Sequence, residues 1–275
     1  MPTGLDPAFL SPRQRGPCIG VFDSGVGGLS VLRALRRAAP RVPLLYLADS
    51  AHAPYGERDA AFVVERSLRI AARLVDEGAC GLVVACNTAT AIAVQALRER
   101  WPELPIVGVE PGLKPAVAAT RNGCIGVLAT PGTLASDKYR RLLAAQPEGV
   151  RIVARPCPGL ARLIEQGDLR SPALLAAVES HCDPLRSAGV DTVVLGCTHY
   201  AFVRDAIGMA MGDGVQIVDT AEAVARHALR RIAVPATALS ASPARLLTTG
   251  AVDALHAIAS AWLDFECEID AAIGT

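Results

Sequence analysis

Cys18-Ile19-Gly20-Val21-Phe22-Asp23-Ser24-Gly25-Val26-Gly27-Gly28-Leu29-Ser30 aligns without a gap on Cys124-Ile125-Gly126-Val127-Leu128-Ala129-Thr130-Pro131-Gly132-Thr133-Leu134-Ala135-Ser136, an offset of 106 residues. At the same offset Leu44–Ala48 falls on Val150–Ala154. Further along the offset becomes 111: Leu82-Val83-Val84-Ala85-Cys86 lies on Val193-Val194-Leu195-Gly196-Cys197, and Ile106-Val107 on Ile217-Val218. A five-residue difference in the intervening helical region accounts for the change. Self-similarity at near-constant spacing marks two copies of one supersecondary unit.

The pattern within each copy defines that unit. Short β-branched runs (Cys18–Phe22, Leu44–Leu47, Gly81–Val84, Ile106–Val109) alternate with longer segments of helical spacing (Ser30–Ala39, Asp59–Glu77, Ala89–Trp101). Such alternation predicts an α/β fold, here two similar doubly wound domains with mainly parallel sheets. A pseudo-two-fold relation between them would place the active site in the inter-domain cleft, beyond the carboxyl ends of the strands. The expected organisation is a loose extension over 1–17, a first domain from 18–111 and 223–275, and a second from 112–222. Thr248-Thr249-Gly250 reads as the end of a returning strand, 251–264 as a helix packed on the first domain, and 234–243 as a surface connector.

Composition narrows the function. The 275 residues carry 27 basic and 27 acidic side chains, so no net charge favours nucleic acid or an anionic membrane. The charge-free run 78–97 contains Asn87, Thr88, Thr90 and Gln95 and divides into strand, turn and helix rather than a membrane span. Eight cysteines without an export signal are expected as cytoplasmic thiols, and without CxxC spacing they suggest no structural metal. Lys114 and Lys138 are the only lysines, leaving few candidates for a pyridoxal phosphate Schiff base. The glycines of 23–28 match neither GxGxxG nor a P-loop, and 196–199 is no GxSxG elbow. Cys18, Cys80, Cys124, Cys157, Cys182 and Cys267 read as small hydrophobes, and His52, His181, His227 and His256 as structural or solvated.

Cys86 and Cys197 stand apart, because they are equivalent in the repeat and polar residues follow each. Across a pseudo-two-fold cleft they would approach one ligand from opposite sides, as a two-base racemase requires. One base removes the α-proton from one face, and the conjugate acid of the other returns a proton to the opposite face. A free thiol has a pKa of ~8.5 and the α-proton is far less acidic, so the site must also stabilise a carbanion-like transition state. Backbone N–H groups at strand-to-helix turns can do so. Each thiol needs a polar neighbour, Asp23 for Cys86 and His199 for Cys197. These two break the symmetry, aligning on Ala129 and Thr88.

Further motifs extend the pattern: Asp49 followed by Pro54-Tyr55-Gly56, Cys86-Asn87-Thr88-Ala89, Gly108-Val109-Glu110-Pro111, Ala129-Thr130 with Thr133, and Gly196-Cys197-Thr198-His199-Tyr200. In this order and spacing the chain resembles the glutamate racemases of the aspartate/glutamate racemase superfamily, from about Cys18 to about Phe265. The resemblance implies that Cys86 acts on the α-carbon of the D-enantiomer and Cys197 on that of the L-enantiomer, with Asp23 and His199 as polar partners. It makes Asp49 and Glu165 supporting carboxylates. Ser24, Pro54, Tyr55, Gly56, Asn87, Thr88, Thr130 and Thr198 would join the catalytic groups in binding substrate. It further implies a cytoplasmic homodimer that makes D-glutamate for peptidoglycan without metal or other cofactor. Ala201 stands where the family usually has proline, and Pro131 interrupts the Thr130–Thr133 turn. Two other functions fit the residues: a cofactor-free racemase or isomerase of the same superfamily acting on aspartate or a related compound, and a catalytically inactive amino-acid-binding or regulatory protein.

Overall fold

The computed structural model describes residues 16–272, so the expected extension over 1–17 lies, apart from Gly16 and Pro17, outside the described residues. Two parallel sheets organise the chain. The first contains β1 (Cys18–Asp23), β2 (Leu44–Ala48), β3 (Ala79–Val84), β4 (Ile106–Gly108), β9 (Ala244–Thr248) and β10 (Cys267–Ala271), in the order β10-β9-β2-β1-β3-β4. The second contains β5 (Cys124–Ala129), β6 (Arg151–Pro156), β7 (Thr192–Gly196) and β8 (Gln216–Val218), in the order β6-β5-β7-β8. The order β2-β1-β3-β4 is thus repeated in β6-β5-β7-β8, as two copies of one unit require.

Alternation along the strands explains why helices cover both faces of the first sheet. Ile19, Val21, Leu44, Tyr46 and Val83 point to one side, where they join the core shared with α1 (Leu29–Ala38), α10 (Ala221–Arg231) and α11 (Val252–Trp262). Phe22, Leu45, Leu47, Leu82 and Val84 point to the other, against α2 (Ala60–Asp76) and α3 (Asn87–Arg100). Strands buried on both faces read as continuous apolar runs. In the second sheet Ile125, Val127 and Val194 meet α4 (Leu113–Ala119) and α6 (Asp137–Ala144), while Cys124, Val193 and Leu195 belong to the core with α7 (Leu160–Glu165), α8 (Pro172–Ser187) and α9 (Arg204–Met211). The charge-free run 78–97 is β3 leading into α3. Among the described residues no helix is long and apolar enough to cross a membrane.

Strand pairing corrects the repeat in one place. Ile19 pairs with Leu44, and its counterpart Ile125 pairs with Ile152. Leu44 is therefore equivalent to Ile152, 108 residues on, and not to Val150. The shift is two residues, so every side chain keeps its face. The pairs Gly81–Ile19 and Thr192–Ile125 retain the offset of 111. The length difference consequently accumulates in two steps, before β2 and again before α2. β10, an edge strand parallel to β9, was not anticipated; its sequence Cys-Glu-Ile-Asp-Ala has only one large apolar residue.

The shared Cys-Ile-Gly-Val has a packing cause. A Cβ on Gly20 would meet Leu82 Cδ2 at 2.8 Å, Ala79 Cβ at 2.9 Å and Leu74 Cβ at 3.3 Å. One on Gly126 would meet Leu185 Cδ1 at 2.8 Å and Val190 Cγ1 at 3.1 Å. Leu185 and Val190 are the 111-offset counterparts of Leu74 and Ala79, so the same helix lies on the same bare strand position twice. Gly20→Ala should lower unfolding stability by about 1–3 kcal/mol through overpacking. Urea unfolding followed by circular dichroism checks this, and an unchanged midpoint would mean that α2 yields freely.

Candidate active site

Each candidate thiol sits just past the carboxyl end of a central strand. Cys86 follows β3 and is the N-cap of α3, its sulfur accepting from Ala89 N–H at 3.4 Å. Cys197 follows β7 at the head of a 3-10 turn over Thr198–Val203. The two residues share one neighbourhood, because Thr198, next to Cys197, donates to Asp23, which accepts from the Ser24 hydroxyl beside Cys86. Both residues are nearly closed off, Cys86 at 5% and Cys197 at 7% exposure.

The two thiols have different proton partners. Cys86 Sγ lies 3.9 Å from Ser24 Oγ, and Ser24 Oγ donates to Asp23 Oδ1 at 2.9 Å. Asp23 therefore stands behind Ser24 rather than in direct contact with the sulfur. Its carboxylate also accepts from Gly25 N–H at 2.9 Å and from Thr198 Oγ1, of the other half, at 2.7 Å. Burial, and then the Asp23 charge, push the Cys86 thiol above its ordinary range, which keeps it protonated. Burial likewise raises Asp23, against the opposing pull of His199, Thr198, Gly25 and Ser24.

Across the cleft His199 Nδ1 lies 3.7 Å from Cys197 Sγ, and Nε2 lies 2.5 Å from Glu165 Oε1. Burial alone would lower the His199 pKa. Its bonds to the Cys197 sulfur and the Glu165 carboxylate outweigh that and raise it well above the usual imidazole range. Glu165 ends α7, and its Oε1 also accepts from Val26 N–H at 2.8 Å, so an oxygen of the second half grips the turn after β1. That grip needs Gly25, because a Cβ there would strike the Glu165 carboxylate, and one on Gly27 would strike His199 Nδ1.

The remaining candidates form three groups. Thr88 Oγ1 lies 2.9 Å from Thr130 Oγ1 and 3.3 Å from Thr133 Oγ1, a hydroxyl cluster spanning the halves. Pro131 does no harm there: it is the first residue of α5 (Pro131–Ala135), where no N–H is needed, and Thr130 caps that helix. Asn87 is buried, and among the described residues its Nδ2 has no partner, a donor free for a ligand. Pro54, Tyr55 and Gly56 lie on the loop after β2, with Gly56 against the Thr130 side chain. Asp49 contributes through that loop, for its oxygens accept from Tyr55 Oη at 2.5 Å, Arg66 Nε and Nη2 at 2.9 and 2.7 Å, and Thr249 Oγ1 at 2.8 Å. His52 Nδ1 is 2.9 Å from Asp49 Oδ1. Burial would raise Asp49, but Arg66, Tyr55 and Thr249 hold it below the ordinary carboxylate range.

Sequence reasoning missed Arg66, Thr249, Tyr46 and Glu57. The last accepts from Gly159 N–H at 2.8 Å and faces Arg162 at 3.5 Å, tying the loop after β2 to the start of α7. Only Tyr46 left a trace in the sequence: a tyrosine inside an apolar strand must find a partner for its hydroxyl. A cleft of about 970 Å³ lies beside α1, α10 and Trp262, and neither thiol lines it. The candidate site is marked by two thiols with polar partners, not by volume.

Two outcomes follow from this geometry. Glu57→Ala should loosen the closed state and raise the alkylation rates of Cys86 and Cys197 about fivefold relative to Cys80, read by peptide mass spectrometry. Equal rates in both proteins would show that Glu57 does not hold the cleft shut. The raised His199 pKa means that the folded state favours imidazolium. That contribution is complete below the ordinary histidine pKa and is lost as pH rises through the folded value; the raised Asp23 pKa acts with the same sign from the carboxylate range upward. His199→Asn should therefore flatten the decline of melting temperature on the alkaline side. An unaltered profile would rule out His199 as its source.

Comparison with known proteins gives the family. The family model described as Asp/Glu/hydantoin racemase matches residues 19–228. A glutamate racemase of Ralstonia nicotianae is 51% identical over 257 residues, 92% of each chain, and one of Ectopseudomonas mendocina is 48% identical over 87% of this chain and 92% of its own. Among solved structures, a Bacillus anthracis glutamate racemase superposes with a TM-score of 0.83 at 31% identity, covering 93% of this chain and 97% of that one. The Escherichia coli enzyme, in complex with L-glutamate and an activator, gives 0.82 at 32%, covering 94% and 100%. The chain belongs to the Asp/Glu/hydantoin racemase family and, within it, to the glutamate racemases.

Proposed function

We propose that the protein interconverts L- and D-glutamate by proton transfer at the α-carbon between Cys197 and Cys86, using only its own side chains and main chain. The observation that carries this reading is the pair of repeat-equivalent thiols, one from each half, with unlike proton partners. In the L-to-D direction the Cys197 thiolate takes the α-proton, the C–H bond breaks and an S–H bond forms. The Cys86 thiol then gives its proton to the opposite face of the same carbon. In reverse, Cys86 must first lose its proton, and Ser24 with Asp23 is the route for it. A protonated His199 held by Glu165 is the charge partner of the Cys197 thiolate.

The intermediate carries charge from the α-carbon toward the α-carboxylate. The N-terminal turn of α3 supplies main-chain N–H groups, and the Asn87 amide, without a partner among the described residues, supplies a further donor. Thr88, Thr130 and Thr198, with Ser24 and the Pro54-Tyr55-Gly56 loop, would hold the two carboxylates and the ammonium. Asp49 would fix Tyr55. The same reading divides the chain into one domain of 18–111 with 223–275 and another of 112–222, a division that sheet membership supports. It takes the enzyme to be a cytoplasmic homodimer that supplies D-glutamate for peptidoglycan.

Incubation of the protein with L-glutamate in deuterated water tests the chemistry. Early D-glutamate should carry α-deuterium while the remaining L-glutamate keeps protium, because each face has its own carrier. Cys86→Ser and Cys197→Ser should each lower racemisation about 10²–10⁴-fold. Deuterium entering the L pool before any D product appears, near-normal activity in either variant, or turnover of aspartate in place of glutamate would each overturn the reading.

A further inference from the structure

Tyr46 is fully buried on β2, beneath the turn that joins β1 to α1. Its hydroxyl donates to Gly25 O at 2.5 Å. The fit depends on Gly28, where a Cβ would come within 3.0 Å of the Tyr46 ring and hydroxyl. Gly25 O belongs to the same peptide unit as Val26 N, and Val26 N–H donates to Glu165 Oε1 at 2.8 Å. One amide is thus held at both ends, by a hydroxyl of the first half and a carboxylate of the second.

A donor on an amide carbonyl polarises the amide and strengthens its N–H as a donor, by roughly 10–30% per bond in a chain. The chain here continues from Glu165 Oε1 to His199 Nε2, and from His199 Nδ1 to Cys197 Sγ. Cys86 is reached by a different chain, through Ser24 Oγ to Asp23 Oδ1, and the N–H that Asp23 accepts there, from Gly25, belongs to the preceding peptide, whose carbonyl Tyr46 does not bond. Burial and the negative charges of Asp23, Glu165 and Cys86 push the Tyr46 phenol well above its ordinary range, so it stays a donor throughout the working pH.

We infer that Tyr46 is a positioning residue for the Cys197 side of the reaction alone, acting through the Gly25–Val26 peptide on Glu165 and His199 without touching substrate. The inference rests on the two-thiol reading above. A residue that merely stabilised the fold would slow proton transfer at both sulfurs alike. Tyr46 instead raises or lowers one of the two barriers, and that difference is measurable.

The test uses Tyr46→Phe in the full chain, with L- and D-glutamate carrying α-deuterium. Because the two enantiomers are equally stable, kcat/KM must fall by the same factor in both directions, here about tenfold. The isotope effects should diverge. With the Cys197 step made slower, the α-deuterium effect on kcat/KM rises for L-glutamate and falls for D-glutamate. Thermal melting establishes that the variant is folded. As a second variant, 3-fluorotyrosine at position 46, a stronger donor, should move the two isotope effects in the opposite senses. If Tyr46→Phe does not fold, the fluorinated protein alone decides. Isotope effects that stay as in the unaltered enzyme, or change equally for both enantiomers, overturn the role of Tyr46. Absence of glutamate racemisation in the unaltered protein would instead overturn the two-thiol reading.

Discussion

Glu165 Oε1 is shared between an N–H of the opposite half and the imidazole beside Cys197, and this shared oxygen constrains the rest of the site. A carboxylate that accepts from both Val26 and His199 can do so only when the halves are closed. Closure in turn requires bare glycines at 25 and 27, where any side chain would fall on Glu165 or His199. Thr198 on Asp23 and Glu57 on Gly159 add to the same seam. The bonds that shape the proton carriers are therefore also the bonds that shut the cleft. Any parting of the two halves would break them together.

The repeat supplies symmetry and the polar residues remove it. Strand order, the glycine under the covering helix, and the cysteine after the third strand recur in both halves. What surrounds each sulfur does not: on one side a hydroxyl backed by a carboxylate, on the other an imidazole backed by one. On the proposed two-thiol reading, two enantiomers presented to two different faces need such unlike partners, because the same substrate groups would lie in different directions from each sulfur.

Much of this was legible in the residues. Apolar runs and helical spacing located the strands and helices of the first half to within a few positions, because those strands are buried on both faces. Cys86, Cys197, Asp23 and His199 were legible because each lies at or just beyond a strand end. The register of β6 was misread by two residues, since a repeat aligned by its first strand carries no information on where a helix between was lengthened. Contacts such as Arg66 on Asp49, Glu57 on Gly159 and Glu165 on Val26 join residues 17, 102 and 139 positions apart and leave no periodic mark. β10 was missed for another reason: an edge strand exposes alternate residues and lacks a continuous apolar run.

The six-stranded sheet takes its last two strands from beyond the four-stranded one. During synthesis, β1 to β4 leave the ribosome first but cannot complete their sheet, because β9 must add beside β2 after all of β5 to β8 has been made. The inner half, contiguous from β5 to β8, has every strand of its sheet before the outer half does. Pairing of β2 with β9 spans some 200 residues, the slow kind of contact for a folding chain. The half that begins the polypeptide is thus the last to be finished, and the catalytic seam cannot exist before then.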